Sequence, residues 1–146
     1  MKRTISIISV VLMCAILLSA CLSTEESTEK SKQMLSYLAK NDIDSAMQLL
    51  SPLIIEDEQS ARQGLEQIAQ LLQGRTVAAM KQTYVYNGLK VASGFSGTEQ
   101  RATYSITLND GTACQLQTIY YAGSGFVTFY LSFEDPVQPQ GEEVAV

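Results

Sequence analysis

At Gly74 the spacing of apolar residues changes period, and this change constrains the fold more than any other feature of the chain. Before Gly74 the apolar residues recur at helical spacing. Met34, Leu35 and Leu38, with Tyr37 between them, predict a helix over about Thr28–Lys40. Asn41-Asp42 breaks that helix and can cap the next. Ile43, Ala46, Met47 and Leu50 form an i, i+3, i+4, i+7 stripe, a second amphipathic helix that Pro52 ends. Leu53-Ile54-Ile55 is expected to pack on the core. Acidic Glu56-Asp57-Glu58 precedes a third helix over about Gln59–Gln73, where such charges oppose the positive end of the helix dipole. Leu65, Ile68, Ala69 and Leu72 give it one apolar face, and Gly74 is its stop signal.

After Gly74, Val, Thr, Tyr, Ile and Phe dominate and the period falls to two. A first strand is expected over Thr76–Tyr86, with Asn87-Gly88 as a turn, Leu89–Ala92 as a short return strand and Ser93–Gly97 as a loop. A second long strand, Glu99–Leu108, has Tyr104, Ile106 and Leu108 on one face. Asn109-Asp110-Gly111 is a hairpin signal. Thr112–Tyr121 follows with Cys114, Leu116, Thr118 and Tyr120 inward, then a turn at Gly123-Ser124-Gly125. Phe126–Phe133 closes the set, with Val127, Phe129, Leu131 and Phe133 inward. The order implies an α+β domain of about three N-terminal helices packed on a curved, mostly antiparallel sheet of four or five strands.

The N-terminus carries an address. Lys2 and Arg3 precede an apolar run, Ile5–Leu18, which is shorter than the roughly 20 residues a membrane-spanning helix needs. A basic end, an apolar middle and small residues at the end are the parts of a signal peptide. The run closes in Leu18-Ser19-Ala20-Cys21, which resembles a bacterial lipobox. That resemblance implies cleavage between Ala20 and Cys21, a diacylglyceryl group on the Cys21 thiol, and an acyl chain such as palmitate on the new N-terminus. Two or more chains hold a protein stably on a membrane. The alternative is an ordinary cleaved signal peptide that releases a soluble secreted protein. The expected organisation is a signal peptide (1–20), a lipidated polar tether (21–32), the α+β domain (33–134) and a loose acidic tail (135–146). The localisation it implies is the bacterial cell envelope, lipid-anchored and outside the cytoplasm, at the outer membrane or periplasm if the cell is Gram-negative.

Composition narrows the chemistry. Without Lys2 and Arg3 the 10 basic residues fall to 8 against 15 acidic, a net charge of −7 that disfavours nucleic acid and anionic headgroups. Cys14 lies in the expected signal peptide and Cys21 is the expected lipid carrier, so no intramolecular disulfide is expected in the mature domain. Cys114 lies in an apolar strand pattern and is expected to be buried and inert. The chain has no histidine, which removes the commonest general base and metal ligand. No cofactor or metal is implied.

The Tyr37-Leu38-Ala39-Lys40-Asn41-Asp42 helix break, the Ala46–Leu50 helix with Pro52, and the hairpins at Asp110-Gly111 and Gly123-Ser124-Gly125 resemble the nuclear transport factor 2-like (cystatin-like) superfamily over about Ser31–Phe133. The resemblance implies a cone-shaped domain of the kind found in small lipoproteins. Catalytic members of the superfamily, isomerases and dehydratases among them, place a carboxylate base and an oxyanion donor inside the cone. The inner strand segments here contain no Asp or Glu, so an enzyme is the least supported reading. Two non-catalytic readings remain. In one, the cone binds a small apolar ligand oriented by Tyr84, Tyr104 and Tyr120. In the other, the domain pairs with an envelope protein or with itself. A filled interior beside exposed apolar surface would favour the second.

Overall fold

The computed structural model describes residues 24–54, 57–92 and 94–133; the expected signal peptide, Cys21 and the acidic tail lie outside them. Three helices come first: α1 over residues 24–39, α2 Ile43–Met47 and α3 Glu58–Leu72. Four strands follow: β1 Val77–Ala92, β2 Phe95–Leu108, β3 Ala113–Tyr121 and β4 Gly125–Phe133. They form one antiparallel sheet in the order β1-β2-β3-β4, and the sheet is not closed.

Residues 24–32, expected as a tether that runs into a helix at about Thr28, are helical throughout and form the first turns of α1. Ser27, Ser31, Met34, Leu35 and Leu38 form one buried stripe at helical spacing, so the inward face begins well before its first apolar residue. Two hydroxyls fold back on the helix: Thr28 Oγ1 donates to the Thr24 carbonyl (3.0 Å) and Ser31 Oγ to the Ser27 carbonyl (2.8 Å). Apolar spacing alone could not reveal a helix face lined with serine.

Asn41-Asp42 performs both expected tasks. Asn41 takes a left-handed conformation (φ 57°). The Asn41 N–H bonds the Leu38 carbonyl (3.0 Å) and the Asp42 N–H the Tyr37 carbonyl (2.9 Å), a Schellman end to α1. Asp42 then caps α2 by accepting from the Ser45 N–H at 3.2 Å.

The second helix stops at Met47, short of the expected Leu50. β4 captures the chain there: Phe126 N–H bonds the Leu49 carbonyl (2.9 Å) and Ser51 N–H bonds the Phe126 carbonyl (2.8 Å), with Leu50 and Phe126 in a parallel bridge. Gly125 permits this approach, because a Cβ on it would lie 2.7 Å from the Leu49 carbonyl oxygen.

α3 starts at an Asp57 cap that accepts from Gln59 and Ser60 N–H. It ends with Gln73 and Gly74 both at positive φ. Arg75 covers the carbonyls left at that end, donating from Nε to Leu72 (2.9 Å) and from Nη2 to Leu71 (2.7 Å). Its Nη1 reaches Asp110 (3.2 Å) and Thr112 (3.0 Å) in the β2–β3 hairpin.

Asn87-Gly88 is not a turn. It lies inside β1, paired with Gln100 and Glu99, and the expected return strand and loop are instead the ends of one long hairpin that closes where Ala92 pairs with Phe95. Gly94, with φ at +83°, stands at the reversal. Aromatic rings cover the glycines within the two strands of this hairpin, Gly88 and Gly97. A Cβ on Gly88 would meet Tyr86 at 2.8 Å, and one on Gly97 would meet Phe95 at 2.9 Å.

The inward faces of β2 and β3 match expectation, with Ala102, Tyr104, Ile106 and Leu108 buried against Cys114, Leu116, Thr118 and Tyr120. In β4 a register shift opposite Ile119 and Tyr120 leaves Val127 as the extra residue. Phe126 therefore joins Phe129 and Leu131 in the core, its ring edge-on to Tyr120 (5.0 Å) and Phe129 (5.3 Å). Val127, expected inward with them, is only half-buried.

Candidate functional site

The three tyrosines do not converge. Tyr104 is fully buried under α1, its hydroxyl 3.2 Å from Thr28 Oγ1. Tyr120 is also buried and donates from its hydroxyl to Glu26 Oε1 at 2.7 Å. Burial pushes the Tyr120 phenol far above its ordinary range, and the Glu26 carboxylate that holds its proton adds to the rise. Tyr84 lies on the opposite face, 57% exposed. The cause is a bulge: Gln82 pairs with Tyr104 but Tyr84 pairs with Thr103, so the extra residue Thr83 reverses the facing of everything after it. Strict alternation from the sequence could not supply that residue.

α1 thus occupies the space beneath the sheet where a ligand was expected. A polar cluster lies at its N-terminal end. Gln100 Nε2 donates to Asn87 Oδ1 (2.9 Å) and to Thr24 Oγ1 (3.0 Å), and Asn87 Nδ2 donates to Thr24 Oγ1 (3.3 Å). Glu26 brings a carboxylate to this interior through its hydrogen bond from Tyr120. Apolar spacing misses it, because residue 26 falls within the expected tether. Lys30 shares with Glu26 and Tyr120 a shallow hollow of about 250 Å³ beside Gly123-Ser124-Gly125.

Among the described residues, two surfaces expose apolar side chains beside polar or main-chain groups. The first is an apolar groove of about 370 Å³ between α3 and β4. Ala61, Gly64, Ile68 and Leu71 form its helical wall, with Leu50 and Ile54 at one end. The other wall is residues 127–131 in unbroken succession. Alternate residues of a strand point to opposite faces, so consecutive ones lining one groove mean that the edge of β4 faces it. Among the described residues, that edge is paired only at its start, by the Leu50–Phe126 bridge. A Cβ on Gly64 would meet nothing within 4 Å. Leu71 and Tyr130 are 49% and 56% exposed at the rim.

The second surface is the distal half of the β1–β2 hairpin. Leu89 (85%) and Val91 (73%) project from its helix-facing side. On the other side Glu99, nearly buried, accepts from Arg101 Nε (2.6 Å) and lies 4.0 Å from Lys90 Nζ. Glu99 raises the Arg101 guanidinium above its ordinary range by accepting its hydrogen bond and by its charge. Tyr84 and Tyr86 flank this ion cluster.

No protein-family model, curated protein or solved structure matches this chain.

Proposed function

We propose that this is a bacterial lipoprotein, processed between Ala20 and Cys21 and anchored through Cys21, whose domain is a non-catalytic interaction module for an envelope protein. The groove between α3 and the open edge of β4 carries this reading. An extended partner segment can add a strand to β4 by main-chain hydrogen bonds and lay alternate apolar side chains against Ile68 and Leu71. Open edges are ordinarily blunted or covered, because they recruit strands. Three helices leading into an antiparallel meander also fit the cone-shaped architecture of nuclear transport factor 2-like domains, and the lipid anchor keeps the module beside its partner.

A small apolar ligand within the cone has less support. The hydroxyls of Tyr104 and Tyr120 already serve Thr28 and Glu26. An isomerase or dehydratase has less still, since the Glu26 carboxylate is engaged by Tyr120.

The test is photocrosslinking in intact cells from a benzophenone side chain at Leu71 or Tyr130, with Lys81 as an outlying control. The expected result is one discrete adduct from the groove positions that Gly64→Leu abolishes by filling the groove. A crosslink of twice the subunit mass would make the partner a second copy. Equal labelling at all three positions would overturn the groove. Native mass spectrometry of the mature domain tests the ligand alternative: a retained small mass would favour it over the partner reading.

A further inference from the structure

We propose that the tip of the β1–β2 hairpin rests on the bilayer beside the anchor, with Leu89 and Val91 entering the membrane interface. This inference rests on lipidation at Cys21.

Three observations carry it. The first is direction. Thr24, at the start of the described α1, bonds to Asn87 and Gln100, and further along the helix Thr28 meets Tyr104, the partner of Gln82. α1 and β1 therefore run in opposite senses, and the N-terminal end of the described α1 faces the hairpin tip.

The second is length. Cys21 is three residues before Thr24, a reach of at most about 11 Å. Val91 is four strand residues beyond Asn87, about 13 Å along the same face. Three extended residues would be long enough to bring the lipid to about the level of the two apolar side chains.

The third is charge. The mature chain is strongly acidic, yet residues 84–101 contain Lys90 and Arg101 against the single carboxylate of Glu99. Both cations are engaged with Glu99, so the tip presents no uncompensated negative charge to a headgroup layer. Tyr86, half-exposed, suits the same interface. Two side chains are far too little surface for a stable protein interface, but they suffice to orient a domain that a lipid already holds.

The chain lacks tryptophan, which supplies the probe. The full-length lipidated protein carrying Leu89→Trp is incorporated into phosphatidylethanolamine–phosphatidylglycerol vesicles with brominated acyl chains. Leu71→Trp, at the end of α3 tied by Arg75 to the opposite hairpin, is the reference. The expected result is loss of most of the indole emission from the Leu89→Trp protein and little loss from the Leu71→Trp protein. If the protein floats with the vesicles and the Leu89→Trp protein loses no more emission than the Leu71→Trp protein, the tip is not the membrane-facing part and the proposal is overturned while the anchor stands. If the protein does not float, or Cys21→Ser floats equally well, the lipoprotein reading fails and the proposal falls with it.

Discussion

The Tyr120 hydroxyl donates to the Glu26 carboxylate at 2.7 Å, joining β3 to the first turns of α1 across 94 positions of sequence. The bond fixes the helix over the sheet at the end where the chain emerges toward Cys21. It also gives Tyr120 a strong preference for its protonated form.

Tyr120→Phe keeps the ring against Phe126 and removes only the hydroxyl. Glu26 is half-exposed and water can replace its lost partner, so the expected loss is about 1 kcal/mol of unfolding free energy in urea. The pH dependence is more specific. The folded phenol titrates above its unfolded value of about 10, so its stabilisation is intact below pH 10 and is lost as pH rises from there through the folded value. The alkaline fall in melting temperature should therefore be shallower in Tyr120→Phe. Identical alkaline profiles for the two proteins would contradict this role.

Gly125→Ala sets a Cβ against three backbone atoms of Leu49, Leu50 and Ser51, at a φ of +125°. The expected cost is about 2–4 kcal/mol, from strain together with loss of the Leu50–Phe126 bridge. Gly111→Ala provides the comparison. Its φ is +87° but nothing lies within 4 Å, so only the backbone term of about 1–2 kcal/mol applies. Equal melting temperatures for the two variants would show that the contact at Gly125 is not a constraint.

Acid should weaken the domain through two helix caps and the β2–β3 turn. Hydrogen bonds from Ser45 to Asp42, from Ser60 to Asp57 and from Thr112 to Asp110 hold all three carboxyls below their ordinary value. A depressed folded pKa gives stability that is present above the unfolded value of about 3.9 and lost as pH falls through the folded one. Melting temperature should hold down to about pH 5 and drop below about pH 4. Asp57→Asn keeps the capping oxygen without the titration, so its drop should be smaller. An acid profile unchanged by this substitution would place the sensitivity elsewhere.

Cys21→Ser should block lipidation and leave uncleaved precursor, read as slower migration and no incorporation of labelled palmitate. Normal processing of the variant would overturn the lipoprotein reading.

Much of the helical layer was legible because caps and stops act within a few residues. Asn41-Asp42, Asp57 and Gly74 mark boundaries that the structure keeps to within a residue or two, and the hairpin at Asn109-Asp110-Gly111 reverses where its turn chemistry says. The candidate site was less legible. Tyr104 and Tyr120 do point inward, but against a helix whose first turns carry too few apolar residues to announce themselves. The groove between α3 and β4 has no local signal, since it is made by two elements distant in sequence.

The sequence by itself determined the order of elements, the inward residues of β2 and β3, and the turns whose residues require a special backbone conformation. These follow from periodicity and capping, which are properties of neighbouring residues. Only tertiary structure decided that Asn87-Gly88 would be strand, that Thr83 would turn Tyr84 outward, and that α2 would end at Met47. In each case a partner distant in sequence supplied what local preference did not. Tyr86 covers Gly88 while Gln100 and Thr24 bind Asn87, the pairing of β2 admits one extra residue at Thr83, and the backbone of β4 takes the hydrogen bonds that would have continued the helix.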